Sequence, residues 1–377
     1  MSIPKNSRRN PIFNDNKLKI GIFATNTIGS VQSIAPDAYK PSWQNSLHLA
    51  QIADRAGLEA LLGLARWKNP GQHAVTHRGN FVLDSFTWTA ALAMATEHIG
   101  LFATSHAPTI HPLAIAKQSA TIDHVSGGRF GLNVVGGWSR PEFDMFGLEL
   151  LEHDLRYDYL AEWLTVIFKL WEGSEEFDFE GRFLKLKGAL SMPQPVQKPH
   201  PAIMNAAHSS RGRRFACEYA DCCFVTTRVT ASDISDYKKM AREEFGRDIG
   251  VWMQIPIVQR RTRQEAEDHL NYFAVQQEDR ASVDGWSQGI AADSRSLSNE
   301  AVKYSRLVVA AGGEPVLGSA SEVADQLEAL SEKGVDGILC AWFDFEDGLN
   351  RLIGDVFPLL EQRGLRKAFH SRTRTSV

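Results

Sequence analysis

Two short polar side chains stand near the ends of apolar stretches, where a folded enzyme could use them. Thr104 ends the apolar run 99–104, and Asn133 lies near the end of the run 130–135. A buried amide or hydroxyl needs hydrogen-bond partners. Gly136-Gly137 follows Asn133 and leaves the backbone open to close approach by a ligand. These residues indicate a site for a polar small molecule at the ends of two strands.

A second group of residues suits an anion such as a phosphate. Arg156 stands at the start of a long amphipathic segment, and Ser209 precedes a predicted helix. An arginine can bind a phosphate through two hydrogen bonds, and a helix N-terminus offers free N–H groups to anions. Structural roles fit the same residues, since a serine can cap a helix and charged residues can face solvent. Both interpretations remain open from the residues alone.

Several familiar kinds of catalytic site find no support in the sequence. The twelve histidines show no paired metal-ligand spacing, and no Gly-x-Ser-x-Gly nucleophile motif occurs. The glycines do not fit the Rossmann or Walker spacings. A net charge of −4 gives no attraction to nucleic acid or to an anionic membrane. We therefore expect no metal site, no nucleic-acid partner and no membrane partner.

The chain as a whole is expected to be a cytoplasmic protein. No stretch approaches about 18 consecutive apolar residues, and the N-terminus is polar. The cysteines lack the spacing of a zinc ribbon or a redox pair. We expect them to be reduced, buried thiols; they are Cys217, Cys222, Cys223 and Cys340.

The elements that must position these residues alternate between strand and helix. Eight apolar runs are predicted to be strands, at 18–23, 58–64, 99–104, 130–135, 202–205, 222–225, 251–258 and 337–342. Segments of helical period separate most of them. The alternation fits parallel α/β architecture, which includes both a closed barrel and an open doubly wound sheet. The count of eight favours a (β/α)8 TIM barrel.

Segment lengths suggest one domain with two tails. We expect a polar N-terminal tail at 1–17, a single barrel domain at 18–365 and a basic C-terminal tail at 366–377. Insertions interrupt the alternation at 66–85, 172–201 and 272–315, and we expect insertions at the C-terminal face of the barrel. The last insertion is long and polar, which suits a mobile lid.

Six motifs in a fixed order resemble a known family. They are the segments 108–112, 123–130, 133–138, 152–157, 193–201 and 317–323. Over nearly its whole length the chain resembles the bacterial luciferase-like flavin monooxygenases, and most of all the pyrimidine monooxygenase and dimethyl sulfone monooxygenase branches.

The resemblance implies a two-component, homodimeric or homotetrameric enzyme. A separate NAD(P)H-flavin reductase would supply reduced FMN, and this chain would bind it, capture O₂ and oxygenate a small organic substrate. An N-heterocycle, an organosulfur compound and a halogenated compound all fit, as do a flavin N5 oxygen adduct and a C4a-peroxide. Two alternatives stay open: a deazaflavin-dependent oxidoreductase of the same superfamily, and a non-catalytic flavin-binding protein.

Residues near the flavin ring carry over one by one from the pyrimidine monooxygenase pattern. Leu64 and Ala65 match backbone contacts to the flavin, and Glu142 matches a flavin-site carboxylate. Asn133 matches a flavin-contacting amide. With Thr104 it also matches the pair that holds O₂ beside flavin N5, which makes these two the predicted catalytic residues.

The phosphate end also carries over, and the chain departs from the pattern at two places, one at the ring contact and one in the phosphate loop. Arg156, Tyr157 and Ser209 match contacts to the phosphate. Where the relative has a lysine this chain has Ala65, and where it has a glycine this chain has Ala207.

The resemblance has two further consequences, one for the third strand and one for the loop after the second strand. A non-proline cis peptide is expected beside Ala103, near the end of the third strand. The segment 66–85 does not match the pattern, so pyrimidine is not implied as the substrate.

Overall fold

Eight parallel strands close into a barrel, as the sequence predicts. The computed structural model describes residues 9–206, 209–225, 227–293 and 306–370. Its strands are β1 (Lys19–Phe23), β2 (Ala60–Gly63), β3 (Gly100–His106), β4 (Phe130–Val135), β5 (Phe177–Glu180), β6 (Lys185–Ala189), β7 (Ala202–Ala206), β8 (Cys222–Val225), β9 (Gly250–Gln259), β10 (Val316–Gly318) and β11 (Gly337–Ala341). All but β5, β6 and β10 form the barrel, and β11 returns to pair with β1. This closure excludes an open sheet.

Helices connect the barrel strands and cover the outside. They are α1 (Trp43–Arg55), α2 (Ser85–Ala93), α3 (Pro112–Val125), α4 (Arg140–Met145), α5 (His153–Glu172), α6 (Ser210–Tyr219), α7 (Ala231–Phe245), α8 (Arg263–Asn271), α9 (Arg280–Asp293), α10 (Arg306–Ala311), α11 (Ala320–Glu332), α12 (Phe345–Arg351) and α13 (Phe357–Gln362). None of the helices in the described part of the chain has both the length and the hydropathy to cross a membrane.

Large and small residues fit together inside the barrel. Phe102 and Trp252 are almost fully buried in the interior. A Cβ on Gly131 would overlap the ring of Phe102, and one on Gly337 would overlap that of Trp252. Glycine at these positions therefore makes room for the two rings, which fill the barrel at interior density. The four cysteines are also buried and free, as expected.

The segment before β1 closes the N-terminal end of the barrel. Asn10 donates from Nδ2 to Arg129 O at 2.8 Å, and Ile12 is buried among the barrel side chains. Asn16 donates to the buried Glu59 carboxylate at 2.5 Å. From residue 9 onward this segment is packed against the barrel. After the last helix, Arg366 is also buried, with its guanidinium 3.6 Å from the ring centre of Phe357.

The three insertions lie at two different ends of the molecule. Residues 172–201 follow a helix and form the antiparallel hairpin β5–β6. Gln197 in this segment bonds to Asp123 and to Phe130 O at the start of β4, so the insertion lies at the N-terminal end and not at the expected C-terminal face. The other two follow β2 and α8 and reach the C-terminal end, where β10 extends the edge of β9.

The expected cis peptide beside Ala103 is wrong. The cis peptide bonds among the described residues precede Pro193 and Pro199. Ala103 lies mid-strand with continuous parallel register on both sides, opposite Gly63 and Leu132. Trans geometry is the rule for peptide bonds between residues other than proline, and the unbroken pairing of β3 on both sides agrees with it here.

Candidate active site

A chain of hydrogen bonds joins the C-terminal ends of β2, β3 and β4. Thr104 and Asn133 are register partners on β3 and β4, and both are buried. The Thr104 hydroxyl lies 2.6 Å from Gly63 O and 3.0 Å from Asn133 Nδ2. Because a carbonyl cannot donate, the Thr104 proton points to Gly63, and the hydroxyl oxygen accepts from the Asn133 amide. The two predicted catalytic residues are thus in direct contact.

This arrangement determines which atom of Asn133 is left for a ligand. Since Nδ2 faces Thr104, Oδ1 is directed away from it, and Oδ1 is buried without a hydrogen-bond partner among the described residues. The Ser85 hydroxyl fixes the ends of β2 and β3 relative to each other, since it donates to Gly63 O at 3.0 Å and accepts from Thr104 N at 2.9 Å. An unpaired buried acceptor costs about 1–3 kcal/mol, which a donor on a ligand would recover.

The backbone of Leu64 is held by a side chain that follows β1. Asn26 accepts from Leu64 N at 3.0 Å and donates to Leu64 O at 2.8 Å. The same Nδ2 donates to Leu83 O at 2.8 Å. The Leu64 N–H is therefore taken, and of its backbone only the carbonyl oxygen has a lone pair left for a flavin. Ala65 lies next to it and is half-buried.

Glu142, on α4, holds the loop that follows β2. Its Oε1 accepts from Trp67 N at 2.7 Å and from Lys68 N at 3.2 Å, while Oε2 lies 3.8 Å from His106 Nδ1. Burial lowers the pKa of His106, the negative charge of Glu142 opposes that change, and the positive charge of Arg66 adds to it. The net lowering favours the neutral form of the His106 imidazole, which lies beside a Glu142 side chain that accepts two backbone hydrogen bonds.

Arg156 folds back against the glycine pair that follows β4. Its Nη1 donates to Gly137 O at 2.5 Å. Gly137 has φ of 75°, in the left-handed region that favours glycine. A Cβ on Gly136 would lie 3.4 Å from Arg156 Cβ and 3.0 Å from Leu160 Cδ1. The two glycines therefore let the α5 arginine lie close to the end of β4.

The predicted phosphate residues lie on two adjacent helix N-termini. The Tyr157 ring on α5 is 5.7 Å from the Phe215 ring on α6, and Arg211 bonds to Asp158 at 2.6 Å. Ser209 is buried and caps α6 by accepting from a backbone N–H of its first turn at 3.1 Å. The structure brings Arg156, Tyr157 and Ser209 to neighbouring elements, whereas Ala207 lies outside the described residues.

A second buried amide lies beside these helix ends. Asn205 stands near the end of β7 and donates to Val134 O at 2.7 Å. Its Oδ1 is buried and has no hydrogen-bond partner within the described part of the chain. Two adjacent strand ends, those of β4 and β7, thus each present one unpaired amide oxygen.

The two insertions at this end are bonded to each other. Asn69 donates to Ser282 Oγ at 2.8 Å, and Gln72 donates to Asp279 Oδ1 at 3.0 Å. His77 Nε2 lies 2.9 Å from Asp279 Oδ2. We call these five residues the clamp. They join the 66–85 loop to the N-terminus of α9 above the strand ends.

Sequence comparison identifies the family. The luciferase-like monooxygenase family matches residues 18–337. The chain belongs to this family. It is also 30% identical over 361 residues to the pyrimidine monooxygenase RutA of Escherichia coli O139:H28, with 92% of this chain and 90% of the relative covered. The family prediction is confirmed, and with it the prediction that the chain is an oxidoreductase of the monooxygenase class.

Solved structures share the fold. A long-chain alkane monooxygenase, LadA, superimposes with a TM-score of 0.80 at 24% identity, covering 95% of this chain and 94% of that one. DmoA from Hyphomicrobium sulfonivorans gives a TM-score of 0.79 at 22% identity, covering 95% and 91%. At these identities the likeness concerns the barrel and its connections.

The luciferase-like monooxygenases use reduced flavin, and the residues at this end of the barrel fit one. The unpaired Oδ1 atoms of Asn133 and Asn205 offer acceptors to the N–H and O–H groups of a flavin and its ribityl chain. Arg156 and the capped N-terminus of α6 offer positive charge to a phosphate. A flavin needs acceptors for its N–H and O–H groups and positive charge for its phosphate, and this end of the barrel offers both.

Sequence reasoning missed three supporting residues. Asn26 and Ser85 act through the backbone of Gly63 and Leu64, and Arg66 is a buried cation beside Glu142. Asn26 could have been found, since it sits in a polar triplet that begins two residues after the first apolar run. Ser85 had no such signal, because it appears only as the first residue of an ordinary helix.

Proposed function

We propose that this chain is the oxygenase of a two-component system. It takes reduced FMN from a separate NAD(P)H-flavin reductase and transfers one atom of O₂ to a small organic substrate, while the other atom leaves as water. The observation that supports this best is the pair of buried, unpaired amide oxygens at the ends of β4 and β7, beside a buried arginine and a capped helix. We also propose a homodimer or homotetramer, which light scattering can test.

The side chains divide between the two ends of the cofactor. Asn133 and the Leu64 carbonyl would meet the ring, while Arg156, Tyr157 and Ser209 would meet the phosphate. Glu142 and Ala65 lie beside the ring region, with Glu142 fixing the loop above it. Bound reduced flavin supplies the electrons that activate O₂, and the protein orients the flavin and the substrate and excludes water from the site.

Thr104 and Asn133 would shape the place where oxygen reacts. The Thr104 proton is held by Gly63, so Thr104 acts by orienting the Asn133 amide rather than by donating to oxygen. Asn133 Nδ2 has a second N–H besides the one given to Thr104. That N–H can stabilise negative charge on oxygen, and the amide Oδ1 can hold an N–H of the cofactor.

The clamp would keep water away from the reacting atoms. It ties the 66–85 loop to α9 across the mouth of the barrel through buried side chains, including Asn69 and Asp279. A closed, dry site limits unproductive decay of activated oxygen. The substrate would enter between this cover and the strand ends, and the compounds that fit remain N-heterocycles, organosulfur compounds and halogenated compounds.

Anaerobic titration followed by rapid mixing tests the proposal. Quenching of tryptophan fluorescence should report binding of reduced FMN, and mixing the complex with oxygenated buffer should show flavin reoxidation slower than that of free reduced FMN. Adding a flavin reductase, NADH and a panel of candidate substrates should then give an oxygenated product. Binding of a reduced deazaflavin in place of FMN would contradict the proposal, as would binding without any effect on the reaction with O₂.

A further inference from the structure

A buried cation lies in the candidate site without a carboxylate in contact. Arg66 follows β2 and is only 8% exposed. Its Nη1 donates to Asn69 Oδ1 at 3.0 Å, and among the described residues its guanidinium makes no other hydrogen bond and has no carboxylate within 4.0 Å. Burial lowers the pKa of Arg66 to about 10, so the group remains charged at neutral pH.

The carboxylate of Glu142 acts on Arg66 only from a distance, because it is hydrogen-bonded to the backbone of the loop. The charge of Glu142 opposes the effect of burial on Arg66. Oε1 of Glu142, however, accepts from Trp67 N and Lys68 N, and these bonds hold the carboxylate against the loop backbone. A buried charge without a close counter-charge is costly, and most of the donors of this guanidinium are free.

A second unpaired donor lies beside the same guanidinium. The Arg66 guanidinium carbon is 4.9 Å from the ring centre of Trp286, which α9 places above the site. The indole Nε1 of Trp286 is buried and has no hydrogen-bond partner in the described residues. Two donor groups from different segments thus lie together, and neither is fully used by the protein.

An aromatic wall continues from this point. The Trp138 ring lies 5.2 Å from the Trp286 ring, and Trp138 follows the glycine pair at the end of β4. The clamp holds α9 against the 66–85 loop, so Trp286 and Arg66 keep fixed positions relative to each other. The surroundings combine a cation, an indole N–H and two flat apolar faces.

We infer that Arg66 and Trp286 form a subsite for the anionic oxygen group of the substrate, such as a carboxylate or sulfonate, with Trp138 against its flat apolar body. The inference rests on the proposed function only in taking the ligand to be the substrate of the oxygenase. A guanidinium binds such groups through paired N–H donors. The substrate class is therefore a small, planar organic acid.

Calorimetric titration of the FMN-loaded protein with benzoate and with benzamide tests this subsite. The two probes share a ring and differ in charge. Wild-type protein should bind benzoate at least about tenfold more tightly than benzamide, the scale of one charged hydrogen bond. Arg66→Met should remove that preference, and Arg66→Lys should keep part of it because the charge remains. Trp286→Phe, which retains a ring and loses the N–H, should weaken benzoate by about two- to tenfold.

FMN affinity measured on the same variants supplies the control. It should stay within about twofold of wild type, since Arg66 is assigned to the substrate. Equal binding of benzoate and benzamide by wild type would overturn the inference. So would a large loss of FMN affinity in Arg66→Met with benzoate binding unchanged, because that result assigns the cation to the flavin. Loss of oxygenase activity plays no part in these readouts, so a failure of the proposed function is seen separately.

Discussion

The hydroxyl of Thr104 both donates and accepts a hydrogen bond, and this determines which amide atom of Asn133 faces the site. Its proton goes to Gly63 O, and its oxygen accepts from the Asn133 amide. A hydroxyl that could rotate freely would let the amide turn over, exchanging Oδ1 for Nδ2 at the site. In this protein the backbone carbonyl blocks that exchange. The direction of one threonine hydroxyl thereby determines on which side of the Asn133 amide the site finds its acceptor.

Removing the Thr104 hydroxyl should uncouple oxygen use from product formation. We expect Thr104→Val, which keeps the shape and loses the bond to Asn133, to reduce product formation by about 10–1000-fold with a matching rise in peroxide. Thr104→Ser keeps the hydroxyl and should stay within about fivefold of wild type. Rapid mixing of reduced FMN, protein and oxygenated buffer, with peroxide measured at the end, gives the comparison. Wild-type turnover by Thr104→Val without extra peroxide would show that the hydroxyl has no such role.

Arg156 should account for a large part of FMN affinity. Replacing it with alanine removes a buried charged donor beside the α5 and α6 N-termini. We expect Arg156→Ala to weaken FMN binding by about 1.5–3 kcal/mol, the usual scale for a hydrogen bond to a charged group. Fluorescence titration measures the dissociation constant. Arg211→Ala, which removes an ion pair with Asp158 nearby, serves as the control and should cost much less. An unchanged constant in Arg156→Ala would place the phosphate elsewhere.

The sequence could name site residues but not their hydrogen-bond states. Thr104 and Asn133 were placed correctly as neighbours because sequential barrel strands pair and both residues stand near strand ends. The bond from Thr104 to Gly63 and the unpaired Oδ1 of Asn133 depend on atom positions across three strands. The occupied N–H of Leu64 was hidden for the same reason, since Asn26 lies 38 residues away in the chain.

The elements were predictable where burial is complete and less so where it is partial. Strands β4 and β8 match the predicted ranges fully, because doubly covered parallel strands are unbroken apolar runs. The β5–β6 hairpin was missed, since its residues are mostly exposed and carry charges between apolar positions. The expected lid at 272–315 contains α9 and α10 in its described part.

The contact between α9 and the 66–85 loop depends on a glycine. Alanine in place of Gly285 should favour an isolated helix by about 1 kcal/mol. Here its Cβ would overlap the backbone of Gly71, so we expect Gly285→Ala to loosen the contact instead. Hydrogen exchange should rise in 66–85 and in α9, with the barrel strands unchanged. Gly354→Ala, whose Cβ would meet nothing within 4 Å, should show neither change. Unaltered exchange in Gly285→Ala would mean that the contact is not rigid.

The stability of the whole molecule should fall on mild acidification. Burial lowers the pKa of His98, His106 and His269, in the last case to about 4. Each is neutral when folded and binds a proton near pH 6.5 when unfolded, so its contribution to stability is complete above that pH and is lost as the pH falls toward the folded pKa. Carboxylates with lowered pKa, such as Glu322, lose their contribution to stability only below about pH 4.5, so they do not affect this interval.

The urea midpoint should therefore decrease between pH 6.5 and pH 4.5. His269→Gln cannot bind the proton and should show a shallower decrease over the same interval. His48→Gln, at a largely exposed histidine, should follow wild type. A flat urea midpoint for the wild type across that interval would contradict the lowered pKa of these partly buried imidazoles.

The clamp has a consequence for how such proteins can diverge. Asn69, Gln72 and His77 stand on one insertion, and their partners Asp279 and Ser282 stand on the other, some two hundred residues later in the chain. If either segment alone were replaced by that of a relative, its polar side chains would face residues that do not match them as hydrogen-bond partners. Substrate range in this lineage should therefore change by exchange of matched loop pairs, and a directed recombination library should be cut so that both segments travel from one parent.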